Sequence, residues 1–310
     1  MSNEAFVTPD IRAVMGVVDT FLRWRSSNGP PRGFEIYHPS AFGKCLRCMQ
    51  YLRYAERGYI QVEEECHESK LLRLFDKGHN MHDRWAKYME AIGVLRGYWK
   101  CANLKCGQIF GKDDPLGCFK PERCESCDCN KFHYNEVSVV DKELNFYGHA
   151  DMIIDFSVLK EDRFGDITKA FSMESLPKNP FVIDMKTCND FKFKKILQHG
   201  PSLDYRVQLT IYANLLPVEF GLLIYENKNN SDTAAYKIEK NTDTVFKLIR
   251  RQAKSMNEMT DLKLLPPPRP LNKDDYECSK CGCKNICHNS KIWDDPKLNE
   301  KRKNFYDILL

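Results

Sequence analysis

The sequence predicts an α/β fold carrying two cysteine-rich additions. Three observations predict it. Segments with apolar residues at helical spacing alternate with short β-prone runs, a cysteine-dense stretch breaks that alternation between residues 97 and 133, and a second closes the chain. At 310 residues and 42% hydrophobic content the chain can bury a sizeable core. The shifts in pattern divide it into an N-terminal helical part (1–96), an insertion (97–133), a core (134–264) and a linker with a cysteine-rich tail (265–310).

Ile11, Val14, Met15, Val18, Phe21 and Leu22 recur at helical spacing and give a first amphipathic helix ending near SSNGPPRG. A second helix is expected from Ser40, whose hydroxyl would cap it, and would carry Cys45, Cys48, Tyr51 and Tyr54. Residues 68–93 read as another, with Gly78 and His82 four apart on one face. After the insertion, VSVVDKELNFYGHADMIIDF gives two strand-like runs around a polar turn, and FVIDMKTC gives a further strand. A helix over about 202–216 follows, then GLLIYENKNNSDTAAYKIE as a hairpin with Asn-Asn-Ser-Asp at its turn. A long helix covers about 241–261, and LPPPRP marks a linker into the tail.

A net charge of +4 is too mild to announce a nucleic-acid binder by itself, although a local basic groove can sit beside an acidic site. No run of eighteen apolar residues occurs, and MSNEAFVTPD lacks the basic and apolar regions of a signal peptide, so no membrane is expected and the expected compartment is cytoplasmic. Fourteen cysteines in a reducing compartment point to metal; in a secreted chain the same residues would read as disulfides.

In FVIDMKTCND, Asp184 and Lys186 share one face of a strand while Met185 points away. Alone, the pair describes a salt bridge on a strand edge, and Asp151 alone a strand-end aspartate. Placed with His82, the two carboxylates and the imidazole describe a site for a divalent cation, with an ammonium beside its water. Carboxylates suit Mg²⁺ or Mn²⁺, and a nitrogen ligand tilts the preference toward Mn²⁺. Such a cation acidifies its water and neutralises charge developing on a phosphate oxygen, while Lys186 would orient the nucleophile or stabilise the transition state. Gln208 and Tyr212, four apart in RVQLTIYANLL, could bind a phosphate or position a base, or form an ordinary helix-flank pair.

The order Gly78-x3-His82, Gly148-x2-Asp151, Asp184-x-Lys186, Gln208-x3-Tyr212 resembles the RecB-like branch of the PD-(D/E)XK nucleases over roughly residues 36–290, insertion excepted. The resemblance implies a restriction-endonuclease-like fold, a mixed central sheet flanked by helices, with a metal-dependent phosphodiesterase site at its centre. It implies His82, Asp151 and Asp184 as metal ligands, Lys186 as the catalytic lysine, and Gln208 with Tyr212 as the motif that follows. Glu136 stands where many relatives carry a glutamate. Ile183 stands where the family signature has proline, a position that varies in this branch.

In the tail, Cys278-x2-Cys281-x5-Cys287 follows a distant Cys45, with Arg47 two residues after it. This arrangement resembles the iron-sulfur staple of Cas4-like and AddB-like nucleases and implies a [4Fe-4S] cluster clamping the two ends of the domain. Four thiols equally suit a tetrahedral Zn²⁺, and Cys48 and Cys283 could substitute for neighbours or be buried thiols. In the insertion, Cys101-x4-Cys106 and Cys124-x2-Cys127 have the layout of a zinc ribbon with one structural Zn²⁺, although Cys118, Cys129 or His133 could displace a member. Lys105, Lys112, Lys120, Arg123 and Lys131 make the insertion basic enough to meet phosphates. FKFKK at 191–195 alternates rings and charges, so Lys192, Lys194 and Lys195 are DNA-contact candidates, or the start of a solvated helix.

These expectations describe a Cas4-like DNA exonuclease acting on single strands or free ends in recombination, repair, replication or foreign-DNA processing, beside a helicase or another recombination or replication partner. Two alternatives stay open: a non-catalytic DNA-binding or assembly subunit that keeps the fold, and a structure-specific endonuclease acting at flaps or junctions.

Overall fold

Apolar residues pair into a large mixed sheet and a separate two-stranded one in a computed structural model, which describes residues 9–29, 33–62, 68–159, 175–240, 244–264, 274–279 and 281–289. Helices α1 (Pro9–Ser27), α2 (Pro39–Phe42), α3 (Leu46–Glu56) and α4 (Ser69–Ile92) come first. Strands β1 (Leu95–Cys101), β2 (Ile109–Phe110), β3 (Cys118–Phe119) and β4 (Phe132–Asn135) run through the cysteine-dense stretch, followed by β5 (Val137–Asp141), β6 (Phe146–Ala150) and β7 (Met152–Ile154). Next come β8 (Phe181–Cys188), α5 (Asp190–His199), α6 (Leu203–Leu215), β9 (Phe220–Asn227), β10 (Thr233–Glu239) and α7 (Val245–Asp261). The tail contributes the short helices α8 (Tyr276–Ser279) and α9 (Lys284–Asn289).

The sheet order is β10-β9-β8-β7-β1-β2, with β3 and β4 also paired to β1. β8 and β9 are parallel because α5 and α6 make the crossover between them, and β7 and β10 flank them antiparallel. β8 is therefore an interior strand. Its near-continuous apolar run is what burial on both faces requires, and Asp184 interrupts that run at zero exposure. On one side Leu209 and Ala213 of α6, with Leu216 just after it, join a core with Val137, Ile153 and Val182. On the other, Ala86 and Met89 of α4 join Met152, Ile154, Ile183 and Met185. Each fully buried side chain of this kind contributes roughly 1.5–3 kcal/mol.

α4 is tied to the sheet at a defined height. Buried Glu226 on β9 accepts from Trp85 Nε1 at 2.7 Å and pairs with Arg84, which sets the turn carrying His82 above the strand ends. α2, α3 and α7 form a further layer against α6, with Phe42, Leu46, Ile211, Ile249 and Met256 in one cluster.

Ser40 does not cap the second helix. His38 is the N-cap of the four-residue α2, and the chain turns at Gly43, where an added Cβ would lie 2.5 Å from Asp204 Cα. α3 then starts afresh at Leu46, with Cys45 at its N-cap. β1 carries the main sheet directly into the cysteine-dense stretch, so that stretch is built as an extension of the sheet. The LPPPRP linker lies outside the described residues. Among the described residues, no helix is long and apolar enough to cross a membrane.

Candidate active site

Asp151 occupies the single residue between β6 and β7, where the chain leaves the β5–β6 hairpin and enters the large sheet. The β7–β8 ladder ends with Met152 opposite Ile183, so the next inward-pointing donor, the Met185 N–H, is met by the Asp151 carboxylate instead, at 2.8 Å. The same oxygen lies 3.3 Å from His82 Nδ1. Gly148 lets this corner pack against α6: an added Cβ would meet Tyr212 Oη and Pro39 Cδ at 3.0 Å. His82, Glu136 and Asp151 each present one ligand atom, all within 4.8 Å of one another. They open into a cleft of about 450 Å³ also lined by Tyr98, Tyr134 and Ser138.

Asp184 and Lys186 form an interior ion pair, which removes the strand-edge reading. Lys186 Nζ is 2.9 Å from Oδ1 and 2.7 Å from Oδ2 of Asp184. Gln208 Nε2 donates to Asp184 Oδ1 at 2.9 Å and lies 3.5 Å from Tyr212 Oη. The Asp184 carboxylate thus faces the lysine and the amide, and does not belong to the three-residue group that includes Glu136.

The electrostatics tie the two halves together. Burial pushes Glu136 up to about 7, and the Asp151 charge adds to that rise. Burial likewise pushes Asp184 up to about 7, Asp151 reinforcing it and Lys186 opposing it. Burial alone would raise Asp151, yet His82, Lys186 and the Met185 N–H hold it below the usual value. Burial works against the charged forms of His82 and Lys186, but the adjacent carboxylates raise both. Asp184 Oδ2, apart from its ion pair, and Gln208 Oε1 are buried acceptors without an aligned hydrogen bond. Two carboxylates and an imidazole suit a hard divalent cation that takes mainly oxygen with one nitrogen.

A pH dependence follows. Between its ordinary 4.5 and about 7, folded Glu136 keeps a proton that the unfolded chain has released, so its contribution to the stability of the ion-free fold falls as pH rises through that window. A bound cation requires the carboxylate and reverses the sign. Melting curves are expected to show millimolar Mn²⁺ stabilising the protein more at about pH 8 than at about pH 5; equal stabilisation at both would contradict the assignment of Glu136.

Among the described residues, thiols come together closely in two groups. Cys101, Cys106, Cys124 and Cys127 all lie within 4.8 Å of one another. At the tail, the tightest group is Cys48, Cys281 and Cys283, with Cys48 Sγ 3.4 Å from each of the other two. Of the four thiols assigned from sequence, only Cys281 belongs to that trio. Cys45 stands one turn before Cys48, Cys278 lies on α8, and Cys287 lies on α9 beside Arg47, which opposes the rise that burial causes in its thiol.

FKFKK falls on α5, capped by Asn189. Lys194 is engaged with Asp190 at 2.9 Å, Lys195 lies over the Phe191 ring, and Lys192 over Tyr205. In the insertion Lys120 pairs with Glu90 and Arg123 with Asp128. Two functional neighbours escaped the sequence reading. Tyr134 donates to the Asp151 carbonyl at 2.9 Å, and the Tyr205 ring centre lies 4.9 Å from Lys186 Nζ. Tyr205 was findable, since 205, 208 and 212 follow helical spacing on one face.

No family model and no curated protein matches the sequence. Among solved structures, the fold is similar to that of SSO0001, with 15% identity and a TM-score of 0.43, covering 88% of this chain and 96% of that one. It is also similar to an alkaline exonuclease (LHK-Exo) from Laribacter hongkongensis, with 9% identity and a TM-score of 0.39, covering 74% and 90%. A structure of LHK-Exo in complex with dAMP matches with a TM-score of 0.40 at the same identity and coverage.

Proposed function

We propose that this chain is a divalent-cation-dependent DNA nuclease of the RecB-like, Cas4-like kind, hydrolysing phosphodiester bonds from free ends of single strands. The observation that carries this reading is the meeting of His82, Glu136 and Asp151 at one point beside the buried Asp184–Lys186 pair. His82, Glu136 and Asp151 would hold Mg²⁺ or Mn²⁺, with Asp184 the next carboxylate in reach. When bound, the cation supplies Lewis acidity toward the phosphate and acidifies water. Lys186 keeps its ammonium charged beside Asp184 and offers it to an anionic phosphoryl oxygen. Gln208 holds the Asp184 carboxylate in place, and the Tyr205 ring confines the lysine. A cleft of about 450 Å³ is of small-molecule size, which favours a single nucleotide over a duplex. In this reading the tail thiols hold a [4Fe-4S] cluster as a structural clamp.

The test uses anaerobically purified protein with Mn²⁺ and two substrates, end-labelled linear single-stranded DNA and its circular form. Linear DNA is expected to be degraded and circles to survive. Cleaved circles would indicate an endonuclease, and intact linear DNA would leave the DNA-binding or assembly role.

A further inference from the structure

We propose that Cys101, Cys106, Cys124 and Cys127 hold one tetrahedral Zn²⁺ that ties off the far end of the β1–β4 ribbon and so braces the cleft wall carrying Glu136. Cys101 Sγ lies 3.5 Å from Cys127 Sγ, and Cys106 Sγ 3.6 Å from Cys124 Sγ, with all four mutually close. Four sulfurs on a tetrahedral zinc with bonds of about 2.3 Å stand roughly 3.8 Å apart. A disulfide would need about 2.05 Å. Four soft sulfurs with no oxygen in the set exclude the hard cations that suit the carboxylate site.

The backbone is shaped for the same ligand. The chain turns sharply just after Cys106 and Cys127, where Gly107 (φ 65°) and Asp128 (φ 56°) adopt left-handed conformations. Gly107 N–H donates to Asn103 O, and Asp128 N–H to Cys124 O. Cys129 turns its own sulfur to the Lys131 backbone, and neither Cys118, His133 nor Cys129 belongs to the close group of Cys101, Cys106, Cys124 and Cys127. The stretch has little core of its own: β2 and β3 are two residues each, and Leu104 is 98% exposed. A metal supplies the folding energy that such a segment cannot find by burial, its thiol protons passing to solvent.

The ribbon then carries that order to the cleft. β1 and β4 pair from Cys101↔Phe132 at the quartet to Tyr98↔Asn135 at the cleft. There Tyr134 holds the Asp151 carbonyl, and Glu136 follows Asn135 directly. The zinc site stands without the nuclease reading; only the catalytic consequence of bracing Glu136 rests on it.

The test uses the full-length protein dialysed against EDTA. Wild type and Cys129→Ser are expected to retain zinc, and Cys124→Ser to hold about one equivalent less. Zinc X-ray absorption of the wild type, which needs no variant, is expected to show sulfur neighbours alone at about 2.3 Å. Amide exchange over 98–101 and 132–136 is expected to quicken by about tenfold or more in Cys124→Ser, with α7 unchanged. Unchanged zinc in Cys124→Ser, or nitrogen and oxygen neighbours in the absorption spectrum, would overturn the site. Zinc loss with unchanged exchange, or equal quickening in α7, would overturn the bracing.

Discussion

Lys186→Ala is expected to slow DNA cleavage by about 10²–10³-fold, the usual cost of deleting one preorganised electrostatic group. The argument rests on placement. Lys186 Nζ sits 2.7 Å from a carboxylate with no exposure, on an interior strand, and the Tyr205 ring blocks another direction. Its charge therefore acts in a medium where an ion is worth far more than in water. The His82, Glu136 and Asp151 group does not include the lysine, so Mn²⁺ binding is expected to persist in the variant. The fold should also survive. Deleting one partner of a buried pair is ordinarily severe, but Asp184, already pushed up to about 7, can take a proton once its ammonium is gone. Rates for Lys186→Ala, measured beside Mn²⁺ titrations on the same samples, check this. Cleavage within a few-fold of wild type would remove Lys186 from the chemistry.

Cys281→Ser is expected to be the most destabilising thiol substitution in the tail. Cys281 is the residue shared by the quartet assigned from the sequence and by the trio the fold brings tightest. Its contact with Cys48 closes a loop across 233 positions. A cross-link closing a loop of that size contributes about 5 kcal/mol by chain entropy. For a chain of 310 residues that corresponds to roughly 8 °C in Tm. A second seam ties α3 to the end of α7 without metal: Gln50 Nε2 donates to Thr260 Oγ1 at 2.8 Å and Tyr54 Oη to Leu264 O at 2.6 Å. That seam should leave the variant folded at low temperature, so the loss is read in a melting curve under anaerobic conditions. A Tm within a degree or two of wild type would mean the tail thiols carry no cross-linking ion.

Much of this was legible because most of the informative residues sit inside regular elements, with Asp151 at the β6–β7 junction an exception. The strand around Asp184 and Lys186, the helix bearing His82 and the Gln208–Tyr212 helix each announce themselves by period, and their order predicts which ends meet. The tail thiols were legible as a group but not as a ligand set, since two knuckles of crowded cysteines allow several partnerships and only packing of α3 against α9 selects the close ones. Glu136 enters the catalytic candidates through the family resemblance alone; its closeness to His82 depends on where β4 ends, which the sequence does not announce. The direction of the Asp184 carboxylate was hidden for the same reason, because it depends on Gln208 twenty-four residues later. Gly78 still lacks an internal explanation. An added Cβ there meets nothing within 4 Å, so a glycine that costs its helix about 1 kcal/mol is not required by packing within the chain.

The most direct measurement is anomalous diffraction from crystals soaked in Mn²⁺. One strong manganese peak within bonding distance of His82, Glu136 and Asp151 is the expected result. A peak elsewhere, or none at saturating Mn²⁺, would contradict the shared cation on which the nuclease assignment depends.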